Sequence, residues 1–197
     1  MNYPKFFDNI ETIVLKDELS EFLGTFENGK VEFSYLDVVK QAGHSCPTVS
    51  GAYLIVLEGL KALYPNETPQ RGEIEVAFKE SLEEGVAGVI ANVVTHITGA
   101  TDVSGFKGIG GNFVRHSLMS FNNPIDSSIK LTRRDNGKSV EVIYNPNSVS
   151  PSPKMGELMN KIMGGMASKE DRVEFGKLWQ DRVERIFNSI SEVITIK

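Results

Sequence analysis

The sequence predicts an α+β fold, and three observations carry that reading. From Pro47 to Tyr64, the apolar residues Tyr53, Val56, Leu57, Leu60, Leu63 and Tyr64 recur at spacings of three and four, the period of one helix face, and Pro65 ends the run. Residues 73 to 79 alternate instead: Ile74, Val76 and Phe78 stand against Glu73, Glu75 and Lys79, the period of a half-buried strand. Two further alternating runs in "SSIKLTRRDNGKSVEVIYN" meet at Asn136-Gly137, a pair suited to the positive φ angles of a tight hairpin turn.

The remaining elements follow from the same signals. Two short amphipathic stretches open the chain, over residues 4 to 10 and 14 to 23, the second with Leu15, Leu19, Phe22 and Leu23 on one face and Gly24 as its stop. "ENGK" reads as a turn, and "VEFSYLDVVKQAG" as a brief strand or helix leading to residue 44. A helix is expected from Val86 to Thr98, with Val86, Val89, Ile90, Val93 and Ile97 on one face and Gly99 at its end. "GATDVSGFKGIGGN" reads as a glycine-rich loop and its exit "NFVRHSLMSF" as a strand.

Residues 146 to 153 read as a proline-rich linker, separating a core over 1 to 145 from a helical extension over 154 to 197. In that extension a Met-rich short helix precedes a longer one capped by Ser168, whose stripe is Phe175, Trp179, Val183, Ile186, Phe187 and Ile190.

Composition narrows the function. Of 197 residues, 40% are hydrophobic and 24% charged, as in a globular protein. A net charge of -5 gives no overall attraction to phosphate backbones, which argues against nucleic acid as a partner. No apolar run reaches the roughly 18 residues that span a bilayer, so no membrane partner is expected. One cysteine cannot form an internal disulfide, and the N-terminus lacks the basic and apolar regions of a signal peptide, so the expected location is cytoplasmic.

That single cysteine lies in "QAGHSCPTVSG", residues 41 to 51. If the helix starts at Pro47, where proline's missing N–H is no loss, Cys46 is its N-cap. The unpaired N–H groups of the first turn then point at the sulfur, an arrangement that stabilises a thiolate. His44 approaches the same point from an extended backbone. The pair suits a nucleophile with its base, or part of a metal site. His96, at the edge of the apolar stripe of its helix and on one column with Asn92, is the best further ligand, and could face a pocket beside the glycine-rich loop. His116 is the weaker candidate. The plain alternatives are a buried small thiol at 46 and a hydrogen-bonded boundary histidine at 96.

"GFKGIGGN" lacks the Gly-Lys-Ser/Thr ending of a phosphate loop. It reads as a connecting loop, or as a cofactor or substrate loop with Lys107 as the cation and glycines that permit close backbone approach. The three methionines at 155, 159 and 163 and Met166 beyond them suit either core filling or an adaptable surface.

Over residues 35 to 145 the chain resembles the core domain of the FmdE family, the proteins associated with formylmethanofuran dehydrogenase. Gly43, His44, Cys46, Pro47 and Gly51 match its first motif; Thr98, Gly99, Thr101, Lys107 and Gly108 match its second. The departures are Ala42 and Thr48, where relatives often carry histidine and glycine, Asn92 in place of an aspartate, and the lack of a cysteine-rich zinc finger at the C-terminus. The resemblance implies an α+β core of helices on a mostly antiparallel sheet, a homodimer, and a pocket at His44 and Cys46 that holds a metal ion.

Three expectations result. The first is a metal- or cofactor-binding protein of redox or one-carbon metabolism. In it His44, Cys46 and His96 hold zinc, or else nickel or iron, while Thr101, Lys107 and Gly108 contact the cofactor or a small-molecule ligand. The second is a metal-independent thiol enzyme with Cys46 as nucleophile and His44 or His96 as base. The third is a scaffold for protein contacts.

Overall fold

The computed structural model describes residues 2–197. After a 3-10 turn at Lys5–Asn9, strand β1 (Ile13–Lys16) leads into helix α1 (Glu18–Phe22), and strand β2 (Lys30–Phe33) returns antiparallel to β1, pairing Ile13 with Phe33 and Lys16 with Lys30. The stretch 14 to 23 is therefore not one helix. Leu15 is fully buried on the strand, whereas Phe22 and Leu23 beyond it are exposed. The helical spacing of those leucines is overridden because Asp17 caps a new helix there, its carboxylate accepting from the N–H groups of Leu19 and Ser20, while the preceding residues gain β2 as a partner.

Helix α2 (Tyr35–Ala42) starts in a reciprocal cap between Ser34 and Asp37 and stops at Gly43, whose φ of 77° is the left-handed conformation that glycine adopts without strain. Helix α3 (Pro47–Leu63) follows. It is apolar nearly all round and occupies the centre of the molecule, against α2 and a later sheet. Strand β3 (Ile74–Phe78), helix α4 (Ala87–Thr98), the two-residue strand β4 (Met119–Ser120), β5 (Ile129–Arg133) and β6 (Ser139–Tyr144) complete the central part. On α4 the buried face runs through Ile90, Val93, Val94 and Ile97; Val86 and Val89, expected on that stripe, are exposed.

The main sheet has the order β4-β3-β5-β6-β7, antiparallel except for β3 with β4. Its last strand was not expected. The C-terminal residues Ile194–Ile196 form β7 on the edge of β6, after helices α5 (Met155–Met163), α6 (Lys169–Asn188) and α7 (Ile190–Val193). Three apolar residues are too few to show a period, and an edge strand is created by the open N–H and C=O groups of its neighbour. The loop exit at 112 to 121 was expected to be a strand throughout, but only Met119 and Ser120 pair.

The C-terminal elements share the central core. Val149, Val183, Ile186, Val193 and Ile194 are buried in one cluster with Val49, Tyr53 and Leu131, and Ser168 caps α6 as the sequence indicates. Among the described residues no helix is long and apolar enough to cross a membrane.

Candidate functional site

Cys46 caps α3 in an extended conformation, and its Sγ accepts from the Val49 N–H at 3.4 Å. Four side chains from three other elements hold the backbone around it. Tyr144 of β6 donates its hydroxyl to the Pro47 carbonyl at 2.6 Å; Trp179 and Gln180 of α6 both donate to the Ser45 carbonyl at 3.1 Å. Tyr35 of α2 shares a hydrogen bond of 2.9 Å with the Ser45 hydroxyl. The Tyr144 ring can lie there because residue 51 is glycine: a Cβ at that position would sit 2.1 Å from the ring. Burial pushes the Tyr144 hydroxyl up to about 12, so it stays protonated as a donor, and the nearby Cys46 charge pushes the same way.

His44 is exposed on the αL turn after α2, and its Nδ1 lies 3.0 Å from the Ala42 carbonyl. A carbonyl only accepts, so Nδ1 carries a proton and the bond orients the ring. In the neutral form of such a ring Nε2 is the nitrogen that a metal ion or a proton would take.

His96 stands elsewhere. It lines a cleft of about 580 Å³ between α4 and the β1–α1–β2 unit, with Asp17, Ser20, Leu23, Phe33 and Arg71 among its walls. Neither Cys46 nor any residue of the glycine-rich loop lines this cleft. The His96 ring meets Phe33 edge-on, its centroid 5.1 Å away, and burial together with the Arg71 charge holds the imidazole below its ordinary pKa.

Beneath the cleft lies an ion cluster that spans 98 residues of sequence. Asp17 receives Arg71 at 2.9 Å and Arg115 at 2.7 Å, and Arg71 also donates to the His96 and Ile97 carbonyls at the end of α4. This pins the helix C-terminus, where a cation is favoured. The glycines at 72 and 99 leave room for the guanidiniums: a Cβ at 72 would collide with Arg115 and one at 99 would crowd Arg71. No sequence period connects positions 17, 71 and 115. The only local signals were Asp17 as a helix cap and two arginines among glycines.

In the glycine-rich loop, Thr101 donates its hydroxyl to the Arg115 carbonyl at 2.8 Å and receives the N–H groups of Leu118 and Met119 on its own carbonyl. Gly108 has a φ of 91°, and a Cβ there would lie 2.3 Å from the Asn112 carbonyl oxygen. Both residues thus close the loop on itself. Lys107 and His116 are exposed and partly exposed respectively, and His116 Nδ1 meets the hydroxyl of Ser117.

The family model described as "FmdE, Molybdenum formylmethanofuran dehydrogenase operon" matches residues 42–195. The chain belongs to the FmdE family. The match extends through α6 and α7 into β7, beyond the core over which the sequence likeness was traced. No curated protein matches the chain.

For this FmdE-family chain the donor chemistry at residues 44 and 46, an imidazole nitrogen and a thiol sulfur, fits a soft or borderline metal such as zinc. The expected triad with His96 does not come together: among the described residues no three His, Cys, Asp or Glu side chains gather as metal ligands. The reason is position along the helices. His44 and Cys46 lie where α2 hands over to α3, while His96 sits near the far end of α4, beside Phe33 and Arg71.

Proposed function

We propose that this member of the FmdE family is a metal- or cofactor-binding protein of one-carbon or redox metabolism, with Cys46 and His44 as the two side chains that hold the bound group. What supports the reading is an N-capping sulfur two residues along the chain from an imidazole that its Nδ1 bond to the Ala42 carbonyl orients. Zinc suits the donors best, and nickel or iron follow. Two protein donors leave the remaining positions to water or to a small-molecule ligand. A homodimer belongs to the same proposal, and light scattering tests it.

Elemental analysis of protein purified without an affinity tag tests the metal. Near-stoichiometric metal in the wild type that is lost in both Cys46→Ser and His44→Ala supports the reading; equal metal content in all three removes it.

A second reading is favoured by the N–H that Val49 directs at the Cys46 sulfur at the start of α3. In it Cys46 is a nucleophile and His44 its base. Iodoacetamide labelling of the folded, metal-free protein tests this, because a thiol that reacts only after unfolding excludes it.

A further inference from the structure

Two residues that line the cleft beside His96 carry polar atoms that the fold leaves without partners. Four buried side-chain atoms among the described residues have no hydrogen-bond partner, and two of them, Ser20 Oγ and His96 Nε2, belong to residues lining this one cleft. An orphaned buried polar atom costs free energy that a native fold ordinarily avoids. Both atoms are buried at the wall of the cleft, so a bound group pairs with them only as the Ser20 and His96 side chains turn toward it.

The charge is equally specific. Asp17 is shared by two guanidiniums, so the buried cluster is net positive by one. Arg71 reaches the cleft with its side chain 24% exposed. Three of its five N–H groups are used, on Asp17, His96 and Ile97, leaving two without a protein acceptor. Asp37 and Glu32 also line the cleft, but neither reaches Arg71 as an ion-pair partner. Asp37 is held by the N–H and hydroxyl of Ser34 and lies 3.7 Å from Lys40, and Glu32 points into solvent at the rim.

The other walls are apolar. Leu23 and Phe26 are 59% and 50% exposed at the mouth, with Phe33 deeper. At about 580 Å³ the space falls within the roughly 300 to 1,000 Å³ of small-molecule sites.

We propose that this cleft binds small carboxylates with an apolar or aromatic body. The carboxylate accepts from Arg71 and, once their side chains turn toward it, from Ser20 Oγ and the Nε2–H tautomer of His96, while the body lies on Leu23, Phe26 and Phe33. The site stands apart from Cys46 and does not depend on the metal reading.

Phenylacetate is the probe, followed by amide chemical shifts of the full chain, with 2-phenylethanol as the uncharged control. The expected result is saturable shifts at Ser20, Leu23, Phe33 and His96, with the alcohol binding about tenfold more weakly or worse. Ser20→Ala removes one oxygen from a short surface helix and keeps the fold; it and His96→Phe each weaken phenylacetate, and Ser20→Ala decides alone if the other variant does not fold. No saturable shift, equal affinity for the alcohol, shifts confined to the Cys46 region, or unchanged affinity in Ser20→Ala would each overturn the proposal. Cys46→Ser serves as the independent control and binds phenylacetate as the wild type does.

Discussion

The ring of Tyr144 lies directly over Gly51, so close that a Cβ on residue 51 would be 2.1 Å from the ring, while the Tyr144 hydroxyl donates to Pro47 one turn earlier on the same helix. The last residue of β6 thereby sets where the Cys46 end of α3 can sit. Gly51→Ala forces the ring to move, and overpacking of this kind costs about 1 to 3 kcal/mol. Tyr144→Phe keeps the ring and loses one hydrogen bond, about 1 kcal/mol. Chemical denaturation of both variants checks the order: the alanine variant loses more.

Cys46→Ser separates stability from binding. A serine oxygen is a preferred N-cap, so this variant keeps wild-type stability within about 1 kcal/mol even where it loses bound metal. A large drop in melting temperature would make Cys46 a packing residue first.

Asp17 gives an acid-side prediction. Burial alone would raise its pKa, but the hydrogen bond from Arg71, the charge of Arg115 and the Ser20 N–H together hold it below the usual carboxylate range. A depressed folded pKa stabilises the protein above the unfolded value, about 3.9, and that stability disappears as pH falls through the folded value. Asp17→Asn leaves the buried Arg115 and the partly buried Arg71 guanidiniums without their counter-charge and costs about 3 kcal/mol at neutral pH. Its stability profile below pH 4 is flatter than that of the wild type, as urea denaturation across pH would show.

His96 acts in a higher window. Its folded pKa lies below the ordinary 6.5, chiefly through burial and then through Arg71. The folded state therefore favours the neutral ring, and its contribution is complete above pH 6.5 and lost as pH falls from there to the folded pKa. Titration of the His96 ring proton by NMR should give a midpoint below the ordinary 6.5, and His96→Gln should remove this part of the pH dependence of stability.

Truncation tests how the C-terminal helices relate to the rest. A chain ending at residue 166 loses Val183, Ile186, Val193 and Ile194 from the core, each worth about 1.5 to 3 kcal/mol when buried. Together these approach the 5 to 15 kcal/mol that holds a typical domain. The truncated chain should show no cooperative unfolding transition by calorimetry; a sharp transition would mean that the first 166 residues fold alone.

The elements legible in the sequence were those with a strong local signal. Helix α3 had a long period and Pro65, β3 its alternation, the β5–β6 hairpin its Asn136-Gly137, and α6 its Ser168 cap; Cys46 as the cap of α3 followed from Pro47 alone. The elements misread were short. Residues 14 to 23 carry enough leucines for a helix but were divided by Asp17 and by pairing with β2, and Ile194–Ile196 became a strand only because β6 had a free edge.

By itself the sequence determined the class of fold, the family motifs and the position of one sulfur at a helix start, because each is set by residues within a few positions of one another. Tertiary structure decided that His96 lines a cleft without Cys46, that Thr101 and Gly108 close a loop, and that Asp17, Arg71 and Arg115 meet under that cleft. Those arrangements join positions up to 98 residues apart. They depend on how α2, α3 and α4 end relative to one another, a matter of packing that no local pattern records.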